Sequence, residues 1–338
     1  MNAHSAQEAS FDVVSYAGMV NRAQPDGQVR LMTKVAQMYH EQGIRQTDIA
    51  TTLHISQAKV SRLLKRAAEA GIVRTIVAVS QGVHTELEHA LEQRFGLLEA
   101  VVVDVEGSEP EILAGLGSAG ATYLENTLTG GERVGISSWS QTLLAVVDRL
   151  RPLRVPGAET VVQLVGGMGV PAVQTQANRL LVQLAELIGA SPRFAPAPLL
   201  VGRRGIAENL LDDPVMADVA RQWRDLTLAL VGIGSLEPSE LLQLSGNAVD
   251  PVDQQSLLAQ GAVGDVCHRF FRADGELVAS DIDARVVGIA PDVYRAIPRR
   301  VGLAGGVRKR KAISAAIRGG WVNVIVTDLA TARDLLAG

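Results

Sequence analysis

A single cysteine stands in 338 residues. Cys267 has no partner within the chain, so an intrachain disulfide framework is excluded and a reducing compartment fits. Aromatic residues are equally scarce, at 4% against 47% hydrophobic overall, so the core must be built from Val, Ile, Leu and Ala. No apolar run reaches the roughly 20 residues that span a bilayer. The opening MNAHSAQEASFDVV lacks the charged and apolar regions of a secretory signal, which predicts a cytoplasmic chain with no membrane partner. None of the glycine-rich strand ends matches GxGxxG or the P-loop, and no His/Cys cluster has metal-ligand spacing, so neither a cofactor nor a metal is expected.

What is present divides into a short basic part and a long glycine-rich part. The length exceeds what one compact core usually holds. Residues 1–27 mix Ala, Ser, Gln, Asp, Pro and Gly without periodicity and read as a mobile tail. Residues 28–80 read as a helix-turn-helix domain. An amphipathic helix over Arg30–Gln42 carries Leu31, Val35, Ala36 and Tyr39 on one side. Thr47 is a plausible N-cap for a short helix with Ile49, Ala50 and Leu53 on one face, and His54 and Ile55 fill a tight turn. Ser56 can cap a helix that buries Val60, Leu63, Leu64 and Ala67 and ends at Gly71. Ile72 to Val79 reads as a strand and suggests a wing.

The outward face of that last helix holds Gln57, Ala58, Lys59, Ser61, Arg62, Lys65 and Arg66, groups suited to base edges and phosphates. A helical hairpin with a merely solvated basic face would show the same run. Charge location favours DNA: residues 28–75 hold eight Lys or Arg against three Asp or Glu, a balance of +5 in a chain of −4, which leaves −9 for the rest. Double-stranded DNA is the expected partner.

Residues 81–96 include a helix from Val83 to Phe95, with Leu87, Leu91 and Phe95 at helical spacing, that can link the domains or carry self-association. From residue 97 to 338, buried strands alternate with helices: AVVVDV, RVGIS, TVVQLVGG, LTLALVGIG, ARVVGI, RVGLAGG and VNVIVTD read as strands, which predicts a doubly wound α/β domain. Parallel sheets bind ligands at the carboxyl ends of their strands. Those ends carry Ser138 to Thr142, Gly169 with Gln176 and Asn178 beyond it, Gly232 to Ser235, and Gly264 with Asp265. The cluster Arg308 to Lys311 follows near a helix start. Any one of these is an ordinary turn; together they point to a small anionic polyol or sugar phosphate.

The blocks VAQMYHEQG, QTDIA, VSRLLKRAAEAGIV, VGISSWSQTL, QLVGGMG, QTQANRLL, GAVGDVCHRFFRADG, RVGLAGG and VNVIVTDLATARDLL, in this order, resemble the SorC-type (SorC/DeoR) sugar-binding transcriptional regulators over nearly everything after residue 28. The resemblance implies an N-terminal helix-turn-helix domain and a Rossmann-like α/β effector domain related to sugar-phosphate isomerases and deaminases. It also implies a homo-oligomer, typically a tetramer, and a sugar, polyol or sugar-phosphate effector that alters operator affinity. The family's phosphate cradle falls on Trp139, Ser140, Gln141 and Thr142; Gln176, Asp265 and Lys309 match positions that contact ligand. Ser140 stands where a glycine is usual, Gln141 where an arginine or threonine is usual, and His268 where glycine is common. The missing cation at 141 weakens the case for a phosphorylated ligand and leaves a free sugar or polyol open.

Two other classes compete. A sugar-phosphate isomerase or deaminase fused to a DNA module would use Asp265 and His268 as an acid and base, but a spacing of three places them together on a helix and apart on a strand. An architectural DNA binder would need no cluster of polar strand ends. A regulator that is not an enzyme is the leading expectation.

Overall fold

The protein is described here by a computed structural model that covers residues 27–73 and 82–338. The chain separates into two compact units, Met1–Ala78 and Val79–Gly338. Most of the expected wing lies outside the described residues.

The first unit packs three helices, α1 (Gly27–His40), α2 (Gln46–Thr52) and α3 (Gln57–Glu69), around a small core of Met32, Val35, Ala36, Ile49, Val60, Leu63 and Ala67. Tyr39 is exposed; Met32 and Met38 take the place expected for it and Leu31 on the buried side of α1. Thr47 is not a cap. Arg45 occupies that position without a side-chain bond, and Thr47 lies inside α2. His54, in the left-handed region at φ 54°, makes the turn into α3.

In the second unit, α4 (Thr85–Phe95) precedes strand β1 (Glu99–Val103). The apolar stripe of α4 is used within the chain: Leu91 is fully buried, and Leu87 and Phe95 pack on the domain core. Glu88 and Glu92 of the same helix accept the N–H groups of Val102 and Ala100 at 2.9 and 3.0 Å, so α4 covers the open edge of β1. This helix is an integral part of the second unit, and its stripe is not a free association face.

The sheet continues with β2 (Glu132–Ile136), β3 (Ala158–Gln163), β4 (Ser191–Arg193) and β5 (Leu228–Gly232). Strands β6 (Gly234–Ser235), β7 (Ala262–Val266) and β8 (Arg269–Arg272) follow, then β9 (Arg299–Leu303) and β10 (Val324–Asp328). Seven strands in the order β1-β10-β9-β5-β2-β3-β4 form one sheet, all parallel. Helices cover both faces, with one core packed around Leu143, Val146, Leu181 and Leu184 and the other around Trp223, Ile313 and Trp321. The chain runs one way from β2 through β3 to β4 and the other way from β5 through β9 to β10, with the first strand β1 at the far edge, so the strand order reverses between β2 and β5. A crevice opens at the carboxyl ends of strands at such a reversal.

The expected strand ARVVGI is a 3-10 turn, Asp283–Arg285, followed by isolated bridges. In its place β6, β7 and β8 form a small antiparallel sheet beside the crevice.

Candidate functional site

In the first unit, α3 is the element with a free polar face. Ser56 caps it by accepting the N–H of Lys59 at 3.2 Å. It ends in a Schellman arrangement: Gly71 sits at φ 69°, its N–H reaches Ala68 at 3.1 Å, and the N–H of Ile72 reaches Ala67 at 2.9 Å. Both ends of the helix are therefore fixed. Val60, Leu63 and Ala67 face the core, and Gln57, Ala58, Lys59, Ser61, Arg62, Lys65 and Arg66 are all exposed. Arg62 Nε donates to the carbonyl of Ala58 at 3.2 Å, which holds the guanidinium against its own helix.

In the second unit, a cavity of about 1090 Å³ opens where the strand order reverses. Ser140, Gln141, Thr142, Asp265 and Lys309 all line it, as does His268. Gln176 does not. It is exposed on α7 (Pro171–Ile188), while Gln174 two residues earlier binds Gly167 and Gly169 and shapes the glycine-rich loop after β3.

The lining residues are placed by the turn after β2, by the loop after β9 and by the small antiparallel sheet. After β2 the chain turns into α6 (Gln141–Val147), where Ser140 Oγ accepts the N–H of Leu143 at 3.3 Å as N-cap. The first-turn N–H groups of Gln141 and Thr142 have no place in the helix ladder. Asp265 lies on β7 against Gly234 of β6. A side chain at Gly234 would collide with the carboxylate, so glycine there is what lets Asp265 into the cavity wall.

Lys309 ends the 3-10 turn Val307–Lys309 that follows β9. Gly306 enters that turn at φ 89°, and its N–H is held by Asp328 Oδ2 at 2.7 Å and by Thr331 Oγ1 at 3.2 Å. Asp328, fully buried, also accepts from Thr331 N at 2.9 Å. Asp328 and Thr331 were not among the expected site residues. The only sequence signal was the capping spacing in TDLAT, which reads as a helix start rather than as a support for a loop 22 residues away. Of the basic cluster, Arg308 pairs with Glu109 and Glu237 at the cavity mouth and Arg310 pairs with Asp334, while Lys309 makes no ion pair among the described residues and lines the cavity together with Asp265.

Burial pushes the Asp265 carboxyl above the usual carboxylate range, against the pull of His268 and Lys309. Burial also pushes the Lys309 ammonium down, opposed by Asp265 and Glu109. Desolvation therefore outweighs pairing at both groups, and each charge is held at a cost that a ligand of matching chemistry would offset. The Cys267 thiol is pushed far up by burial, which makes it inert. Among the described residues no group of His, Cys, Asp and Glu could hold a metal, and no helix is long and apolar enough to cross a membrane.

Asp265 and His268 are brought together by neither helix nor strand spacing but by the tight turn between β7 and β8, which returns His268 N to within 3.0 Å of Asp265 Oδ2.

A basic recognition helix with a parallel-sheet crevice lined by hydroxyl, amide, acid and amine groups defines a ligand-responsive DNA-binding protein. Residues 79–337 match the Sugar-bind family of sugar-binding domains. The chain is 32% identical to the deoxyribonucleoside regulator of Bacillus subtilis over 91% of this chain and 97% of the relative. It is also 32% identical to the sorbitol operon regulator of Klebsiella pneumoniae over 91% of this chain and 98% of the relative. The crystal structure of the full-length sorbitol operon regulator SorC from Klebsiella pneumoniae superposes with a TM-score of 0.69 at 30% identity, covering 92% of this chain and 100% of that one. The chain belongs to the SorC/DeoR family of sugar-binding transcriptional regulators.

Proposed function

We propose that this regulator binds double-stranded operator DNA through α3, with Gln57, Ala58 and Ser61 nearest the base edges and Lys59, Arg62, Lys65 and Arg66 on phosphates or guanine edges. A small sugar, polyol or sugar phosphate held by Ser140, Gln141, Thr142, Asp265 and Lys309 alters its operator affinity. The observation that carries the reading is the meeting of these five residues, from three separate segments of chain, in one crevice where the strand order reverses. Asp265 accepts hydroxyl hydrogens of the effector; Lys309 and the free amides of Gln141 and Thr142 hold a phosphate or another polar terminus.

The protein acts by binding and not by turnover, in the cytoplasm, as a homo-oligomer of two or four chains. One helix-turn-helix makes too few base contacts for a genomic address, so symmetry must multiply them over repeated half-sites. The effector works by binding differently to two arrangements of the assembly.

A thermal-shift screen of the full chain over sugars, polyols and their phosphates, followed by band shifts on its own promoter DNA, tests this. A stabilising compound should change the DNA affinity. Calorimetry of Lys309→Ala then separates the ligand classes: a phosphorylated effector should lose far more affinity than its dephosphorylated analogue. An equal loss in both would favour a neutral polyol, the class that Gln141 favours. Undiminished binding of both would remove Lys309 from the site.

A further inference from the structure

The turn that joins β7 and β8 has two central residues, Cys267 and His268, at φ 53° and 59°, the geometry of a type I′ hairpin. Glycine and asparagine fill such positions at little cost, and most larger side chains are disfavoured in the left-handed region. A histidine held there against backbone preference suggests that the ring is needed.

Its surroundings fix how the ring can be used. The side chain is 5% exposed. Nε2 lies 3.0 Å from the carbonyl oxygen of Asn247, which can only accept, so Nε2 carries the proton. Asn247 is itself held, with Oδ1 accepting from Leu199 N and Nδ2 donating to Met168 O, both at 3.0 Å. In the neutral ring Nδ1 is then a lone-pair acceptor. It has no hydrogen-bond partner among the described residues and sits 3.9 Å from Asp265 Oδ2, a second acceptor. Asp265 Oδ2 already accepts the His268 N–H at 3.0 Å, so Nδ1 is the acceptor of this pair to which no described residue donates. An external donor is what Nδ1 lacks.

Resting on the reading that this cavity takes a polyhydroxylated effector, we infer that His268 is a specificity-determining residue which, with Asp265, accepts hydrogen bonds from two adjacent hydroxyls of a sugar or polyol. Asp265 alone would accept from almost any hydroxyl. The fixed Nδ1 beside it demands a second donor at a set distance, and an analogue lacking that hydroxyl leaves a buried acceptor unpaired. Sites built in this way reject deoxy analogues more strongly than apolar pockets reject a methylene. The competing partner for Nδ1 is a water, because Asp265 and His268 also border a side pocket of about 20 Å³, room for one molecule.

The test uses the full chain and calorimetry with ribitol and D-sorbitol, their monodeoxy analogues and the corresponding terminal phosphates. In the wild type, removal of one particular hydroxyl should cost about tenfold or more in affinity. In His268→Gly that discrimination should fall to within about threefold, with thermal stability equal to or above wild type because the turn is relaxed. His268→Asn, which tolerates the same φ and retains an acceptor, should keep part of it. Equal discrimination in wild type and His268→Gly would assign Nδ1 to the side-pocket water and overturn the inference while leaving the effector site in place. A wild type indifferent to every deoxy change would overturn it likewise. No binding of any probe at millimolar concentration would remove both the inference and the reading on which it rests.

Discussion

Asp265→Asn separates what the cavity does from what it costs. The substitution keeps the size of the side chain, and an asparagine oxygen can still accept the N–H of His268 that Asp265 Oδ2 accepts at 3.0 Å, so the hairpin should survive. What disappears is the charge and one acceptor. A hydrogen bond to a charged group contributes about 1.5–3 kcal/mol, so a neutral polyol should bind about ten- to a hundredfold more weakly. A phosphate ester should lose less, since the nearby Lys309 no longer shares its field with a carboxylate.

Stability should move the other way. Burial raises the Asp265 carboxyl above its ordinary 3.8, so between that value and the raised one the native state keeps a proton that the unfolded chain has released. Wild-type stability therefore falls as pH rises through this window. The variant lacks that slope, and its melting temperature without effector should exceed that of wild type at pH 7, with the gap closing toward pH 4. Calorimetry and melting curves at both pH values decide it. Undiminished polyol binding would refute the assigned role, and a stability gain that persists unchanged at pH 4 would refute the electrostatic cause.

Two further substitutions address the remaining parts of the machine. Arg62→Ala should weaken operator binding by on the order of 1–3 kcal/mol and relax preference at one base position if Arg62 reads a guanine, as measured by band shifts on a library of operator variants. An unchanged sequence preference would move Arg62 to the phosphates. Asp328→Ala removes the cap on the last helix and the acceptor for Gly306 N, so it should cost about 1–3 kcal/mol in unfolding by denaturant and weaken anionic ligands through a loosened Lys309.

The three-helix unit was legible because its signals are local. Ser56, the 3–4 spacing of Val60, Leu63 and Ala67, and Gly71 at the C-terminus each act within a turn or two, and all hold in the structure. Thr47 misled because a hydroxyl one residue into a helix looks the same in sequence as one at its cap. The parallel sheet was legible from runs such as VVQLV and VIVTD, since strands buried on both faces are continuously apolar. Its order was not, because the reversal between β2 and β5 depends on which strands pair across more than ninety residues.

The site was legible in part, for a related reason. Ser140, Gln141, Thr142 and Lys309 follow strands of the parallel sheet, whose carboxyl ends converge whatever the strand order, whereas Asp265 reaches the cavity from within β7 of the small antiparallel sheet. Gln176 also follows a strand end, but it begins a helix whose inward positions are Val173, Ala177 and Leu180, and a residue one step off that stripe points to solvent. The small antiparallel sheet was hidden because its turn reads Cys-His instead of the Asn-Gly or Asp-Gly that announces a type I′ hairpin. The substitution that conceals the turn is the one that puts an imidazole into the cavity wall. At His268 the inferred hydroxyl contact accounts for that disagreement, whereas Cys267 beside it, buried and with its thiol pushed up, has no such role.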